Sequence, residues 1–153
     1  MTESPQSSSV VVAVQGAQDS RHAIRLAAKE AEFRGVPLIA VSAYNANPVL
    51  GAPAARPVGS FHSSGDKQRN AESALHHAVV DALGDRAGGV EQRIVPGPAG
   101  RSLVVTANAV NAGLLVLASR GTSSALPGSV SQYVQRKAPC PVLLVPDAKE
   151  AAA

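Results

Sequence analysis

Runs of β-branched and aliphatic residues alternate with amphipathic stretches along most of the chain. Val10–Val14 is a continuous apolar run, the pattern of a strand buried on both faces. Gln15 to Gln18 reads as a turn, and Asp19 or Ser20 can cap a helix with a side-chain oxygen. That helix carries Ala23, Ile24, Ala27, Ala28 and Ala31 at helical spacing, and Gly35 is placed to end it. Pro37–Tyr44 predicts a second strand. Residues 45–65 are rich in Pro, Gly, Ala and Ser, without an apolar anchor pattern; the segment reads as a mobile insertion rather than a lid.

Ala71, Ala74, Leu75, Ala78, Val79, Ala82 and Leu83 mark a second helix, stopped at Gly84. Glu91–Val95 predicts a third strand. Pro96-Gly97-Pro98 is a turn whose last proline suits a first helical position. Leu103, Val104, Ala107 and Val110 give a third helix, ending near Gly113. Leu114–Ala118 is a fourth strand, Ser129–Arg136 a fourth helix closed by Ala138-Pro139, and Val142–Val145 a fifth strand. Alternating strands and helices demand an α/β fold: a three-layer α/β/α sandwich with a parallel sheet joined by right-handed crossovers. Residues 9–147 form a single domain between two tails, a disordered one at 1–8 and another at 148–153.

Composition narrows the function. The chain has 153 residues, a formal charge of +3, 3% aromatics and no Trp. Its basic residues are scattered and few aromatics can stack on bases, so no nucleic-acid surface is expected. No apolar run is long enough for a membrane span, and the N-terminus lacks a secretory apolar core. Cys140 has no partner for an internal disulfide, which fits a reducing compartment and a cytoplasmic location; as a thiol it reads as a small apolar residue.

In parallel sheets ligands bind beyond the carboxyl ends of the strands, where the order of connection switches. Two loops would meet there, one after the first strand at Gln15 and one from Ala118 to Ser129. Gly121 and Gly128 let the backbone approach a ligand closely. Ser129 as N-cap of the fourth helix, with Ser131 in its first turn, could face a phosphate together with the free N–H groups. Arg120 reads equally as a phosphate contact or a surface arginine. His76 and His77 are adjacent on a helix, about 100° apart, and cannot share a metal. Ser129 lacks the Gly-x-Ser-x-Gly elbow of a hydrolase, and no base stands in a recognisable motif beside a Ser or Cys. No catalytic residue and no metal site are assigned.

Three segments, VVVAVQGAQDSRHAIRLA from Val10, IVPGPAG from Ile94, and ASRG with GSVSQYVQRKAPCPVLLVP between Ala118 and Pro146, resemble the universal stress protein family. The resemblance implies a Rossmann-like sheet of the adenine nucleotide alpha hydrolase type, with five strands in the order 3-2-1-4-5. It implies an ATP or AMP pocket in which Gly121, Gly128, Ser129, Val130 and Ser131 hold phosphate, Val14 and Gln15 line the floor, and the backbone near Ala43 meets the base. It also implies a homodimer through the last strand, Val142–Val145, whose apolar edge would otherwise stand bare.

The sequence departs from the family pattern in three places. Ala118 stands at the first glycine position. Gln15 stands where the family has an acid that helps hold the phosphates and their metal. Residues 122–127 separate Gly121 from Gly128, where the family has nine residues; three fewer shorten the loop's reach by up to roughly 10 Å, and Pro127 stiffens it. The expected function is a stress-response module, regulatory through partners, with a weakened or altered nucleotide pocket. The alternative is a competent ATP or AMP binder with slow hydrolysis.

Overall fold

The computed structural model describes residues 9–14, 17–44, 64–119 and 129–146. Five strands, β1 (Ser9–Ala13), β2 (Leu38–Tyr44), β3 (Glu91–Pro96), β4 (Ala112–Ser119) and β5 (Val142–Pro146), alternate with four helices. These are α1 (Ala17–Arg34), α2 (Ser64–Leu83), α3 (Ala99–Ala109) and α4 (Ser129–Lys137). The strands form one parallel sheet in the order β3-β2-β1-β4-β5, as expected.

The core divides cleanly by strand parity. Val10, Val12, Leu38, Ala40, Leu114 and Val116 pack with Ala23, Ile24 and Ala27 of α1 and Leu75, Ala78 and Val79 of α2. Val11, Ala13, Ile39, Val41, Leu115 and Leu117 pack on the other face with Leu103 and Ala107 of α3 and Val134 of α4. Unbroken apolar runs such as Val10-Val11-Val12 are needed because alternate side chains enter two different cores. The first two crossovers therefore cover one face and the last two the other.

Several boundaries differ from the sequence reading. The first strand begins at Ser9, whose hydroxyl donates to the Val110 carbonyl, 3.0 Å. Residues 17 to 20 are already helical, so Ser20 lies buried in the first turn of α1 rather than capping it; Ala and Gln propagate a helix well. The helix α2 starts at Ser64, inside the stretch assigned to the long loop. Its first two turns are polar and carry no apolar stripe, while Asp66 favours the positive end of the helix dipole. Gly35 and Gly84 do end α1 and α2, at φ of +68° and +57°. A 3-10 segment, Gly84–Gly89, follows α2 and buries Ala87.

Pro98 precedes α3 in extended backbone instead of occupying its first turn. The helix ends before Val110, and the reversal falls on Asn111, at φ +52°, because the short amide side chain tolerates the left-handed region. Gly113 is consequently inside β4. Residues 1–8, 45–63 and 148–153, assigned to tails and a mobile insertion, lie outside the described residues.

Candidate functional site

β1 and β4 are neighbours whose outgoing helices leave toward opposite faces, α1 to one and α4 to the other. A crevice at their carboxyl ends follows from that divergence.

The ladder shows what lines it. The N–H groups of Val10 and Val14 donate to the carbonyls of Pro37 (3.0 Å) and Val41 (2.8 Å). Odd-numbered residues of β2 thus turn their N–H and C=O toward β1. Val41 is the last that β1 pairs in register, opposite Ala13. Ala43, the next odd residue, turns its N–H and C=O to the same side, and no described residue is hydrogen-bonded to them.

On the other side, the Leu115 N–H donates to the Pro141 carbonyl, 3.0 Å. Odd-numbered residues of β4 therefore serve β5, and Ala118 turns its carbonyl toward β1. Neighbouring strands lie about 4.8 Å apart, so Ala43 and Ala118 lie about 10 Å apart on the two sides of the β1 line, with the buried Val14 between them. Three expected site residues, Val14, Ala43 and Ala118, thereby lie together at the carboxyl ends of β1, β2 and β4, the candidate slot.

The start of α4 rises beside it. Ser129 is the first helical residue rather than the residue before the helix, and Val130 packs against the second core cluster. Val134 is fully buried one turn later, and Ser131 is half-buried in the first turn. The first N–H groups of α4 have no partner within the helix. Gln15, Gly121, Gly128 and Arg120 lie outside the described residues.

Two supports were not foreseen. Gly100, in the first turn of α3, faces Tyr133 of α4: a β-carbon at Gly100 would lie 3.1 Å from Tyr133 Cδ1 and 3.3 Å from its Cβ and Cγ. The start of α3 and the middle of α4 thus touch through main chain and ring. Also, the Gly97 N–H donates to the Tyr44 carbonyl at 2.7 Å, holding the end of β2 just past Ala43. A glycine inside a helical first turn, where it is a poor helix former, was the available signal for the first contact.

Among the described residues no three of His, Cys, Asp and Glu gather to hold a metal ion. Cys140 is half-buried, and burial raises its thiol above the ordinary range, partly opposed by the Arg34 charge. No helix of the described residues is long and apolar enough to cross a membrane.

The sequence pattern of the universal stress protein family matches residues 7–146. A universal stress protein from Archaeoglobus fulgidus is 25% identical, with 90% of this chain and 93% of that one covered and a TM-score of 0.67. A universal stress protein in complex with cAMP is 28% identical, with 92% and 98% covered and a TM-score of 0.66. A third, from Lactobacillus plantarum, is 22% identical over 93% and 99%, with a TM-score of 0.70, a likeness of fold. No curated protein sequence matches significantly.

Proposed function

The chain belongs to the universal stress protein family, and on that premise we propose a regulatory module whose altered pocket takes an adenine nucleotide bearing one phosphate, not a metal-bound triphosphate. The observation that carries this is the main chain of Ala43, whose N–H and C=O turn toward the carboxyl end of β1 with no described residue hydrogen-bonded to them. Such main chain suits the edge of a flat base: the Ala43 N–H donates to a ring nitrogen while its carbonyl accepts from an exocyclic amine.

The phosphate end is the part that is reduced. Gln15 offers no negative charge to a divalent cation. The segment between Gly121 and Gly128 is short for enclosing three phosphates, whereas the N–H groups and serines at the start of α4 suit one. The similar structure holding cAMP, a nucleotide with a single phosphate, supports that choice.

The module acts through assembly and partners, not through chemistry of its own. β5 is an edge strand, and we assign it as the seam of a homodimer.

Thermal unfolding with each ligand tests the ligand class. AMP or cAMP at millimolar concentration should raise Tm by several degrees, and magnesium ATP by clearly less. An equal or larger rise with magnesium ATP would favour the second reading, a competent ATP binder, for which the retained Gly121, Gly128, Ser129 and Ser131 speak.

A further inference from the structure

The connection from β3 to α3 presses on two neighbours, and at each place it carries a glycine. At Gly97 the main chain runs against the end of β2: its N–H donates to the Tyr44 carbonyl at 2.7 Å, and a β-carbon there would lie 3.3 Å from that same oxygen. At Gly100, buried in the first turn of α3, it runs against Tyr133, whose Cβ and Cγ a β-carbon would meet at 3.3 Å. Either contact would be tighter than most, and glycine leaves the β-carbon out.

The segment between the glycines is braced. The Ser102 hydroxyl donates to the Pro96 carbonyl, and the Ser102 N–H to the Pro98 carbonyl at 3.0 Å. Pro96 and Pro98 hold φ at two of its positions. Its two contacts reach the two ends of the proposed pocket. Tyr44 directly follows Ala43, whose main chain takes the base. Tyr133 stands on α4, whose first N–H groups and Ser131 take the phosphate. A helical side chain leans toward the start of its helix, so the ring lies level with that first turn. Val130 and Val134 seat α4 on the sheet and fix its height, while Tyr133 against Gly100 fixes its sideways position.

We propose that Tyr133 is a positioning residue for the mononucleotide. Seated on Gly100, it sets the span from the Ala43 main chain to the start of α4, and with it the affinity that a phosphate adds to adenosine. It acts through the α4 backbone, not on the ligand, and a site loses affinity when such a support loosens. Ala43 keeps its place without the ring, because β2 is paired along its length with β3. The inference rests on the single-phosphate pocket proposed above and deepens it.

Calorimetric titration of the full chain with adenosine and with AMP, well below the Tm of each variant, tests it. The unmodified protein should bind AMP about tenfold or more tighter than adenosine, through charge-assisted bonds to the phosphate. Tyr133→Ala should erase most of that gain and leave adenosine affinity within about twofold of the parent, because the base end is held separately. Tyr133→Phe keeps the ring and should restore the gain. Gly100→Ala displaces the ring without removing it and should cut the gain too, which carries the test if Tyr133→Ala does not fold by circular dichroism. Variants that weaken both ligands in equal proportion, or keep the full gain, overturn the inference and leave the single-phosphate pocket standing. An unmodified protein that binds AMP no more tightly than adenosine, or binds neither, overturns both.

Discussion

The β-carbon that Gly100 lacks would fall 3.1 Å from Cδ1 of Tyr133, closer than most side-chain contacts. The neighbouring atoms include Cβ and Cγ of the tyrosine, which follow the α4 backbone and cannot swing aside as a flexible tip would. The contact ties the start of α3 to the helix whose first turn borders the slot.

Gly100→Ala should therefore destabilise the fold by about 1–3 kcal/mol, the usual cost of overpacking, although alanine is the better helix former by about 1 kcal/mol. The corresponding fall is about 2–4 °C in Tm for each kcal/mol. In the background of Tyr133→Ala the same change should become neutral or stabilising. Differential scanning calorimetry of the four proteins reads both results, and an unchanged penalty without the ring would refute the contact.

Asn111 sits at φ +52° between α3 and β4. Asn111→Gly should lie within about 0.5 kcal/mol of the parent, while Asn111→Val should cost about 1–2 kcal/mol, because a β-branched residue resists that region. Urea denaturation of the two variants measures the difference.

The strands were legible because their residues serve two cores at once, which writes unbroken runs such as Val10–Val12 and Leu114–Leu117 into the chain. The first turns of α2 were not, since Ser64 to Asn70 is polar on every side and leaves no periodic trace. Gly113 drew the end of α3 too far because a glycine is the expected reversal, whereas Asn111 takes that role. The order of the strands came from the resemblance, since alternation alone fixes parallel pairing and not sequence in the sheet. Of the candidate site, Val14, Ala43 and Ala118 were named through the resemblance, and they lie at the carboxyl ends of neighbouring strands. The Gly100–Tyr133 contact, between residues far apart in sequence, left only a misplaced glycine as its trace.

Ala43→Pro removes the N–H that faces the slot, while the ladder to β3 depends on the even residues Ser42 and Tyr44. The variant should stay folded by circular dichroism and lose at least tenfold in affinity for AMP. Full retention of AMP binding would remove Ala43 from the site.

The thiol of Cys140 is held above its ordinary pKa by burial. The folded protein thus keeps the proton to higher pH than the unfolded chain, so any stability from this group is present below the thiol's unfolded value and is lost as pH rises through the folded one. At pH 8 the thiol should react with a disulfide reagent more slowly than in the urea-unfolded chain. A faster reaction in the folded state would contradict the half-buried, protonated assignment.

Gln15→Asp alone should change the affinity for magnesium ATP by less than about threefold, since the short segment after Gly121 remains. A chain lengthened by three residues between Gly121 and Gly128 should gain more than the acid does, by calorimetric titration.

The most direct measurement is the calorimetric titration of the unmodified protein with AMP and with ATP, each with magnesium and with EDTA. AMP should bind at micromolar concentration with an affinity indifferent to magnesium, and magnesium ATP at least tenfold more weakly. Magnesium ATP binding more tightly than AMP, and only when the metal is present, would contradict the single-phosphate pocket.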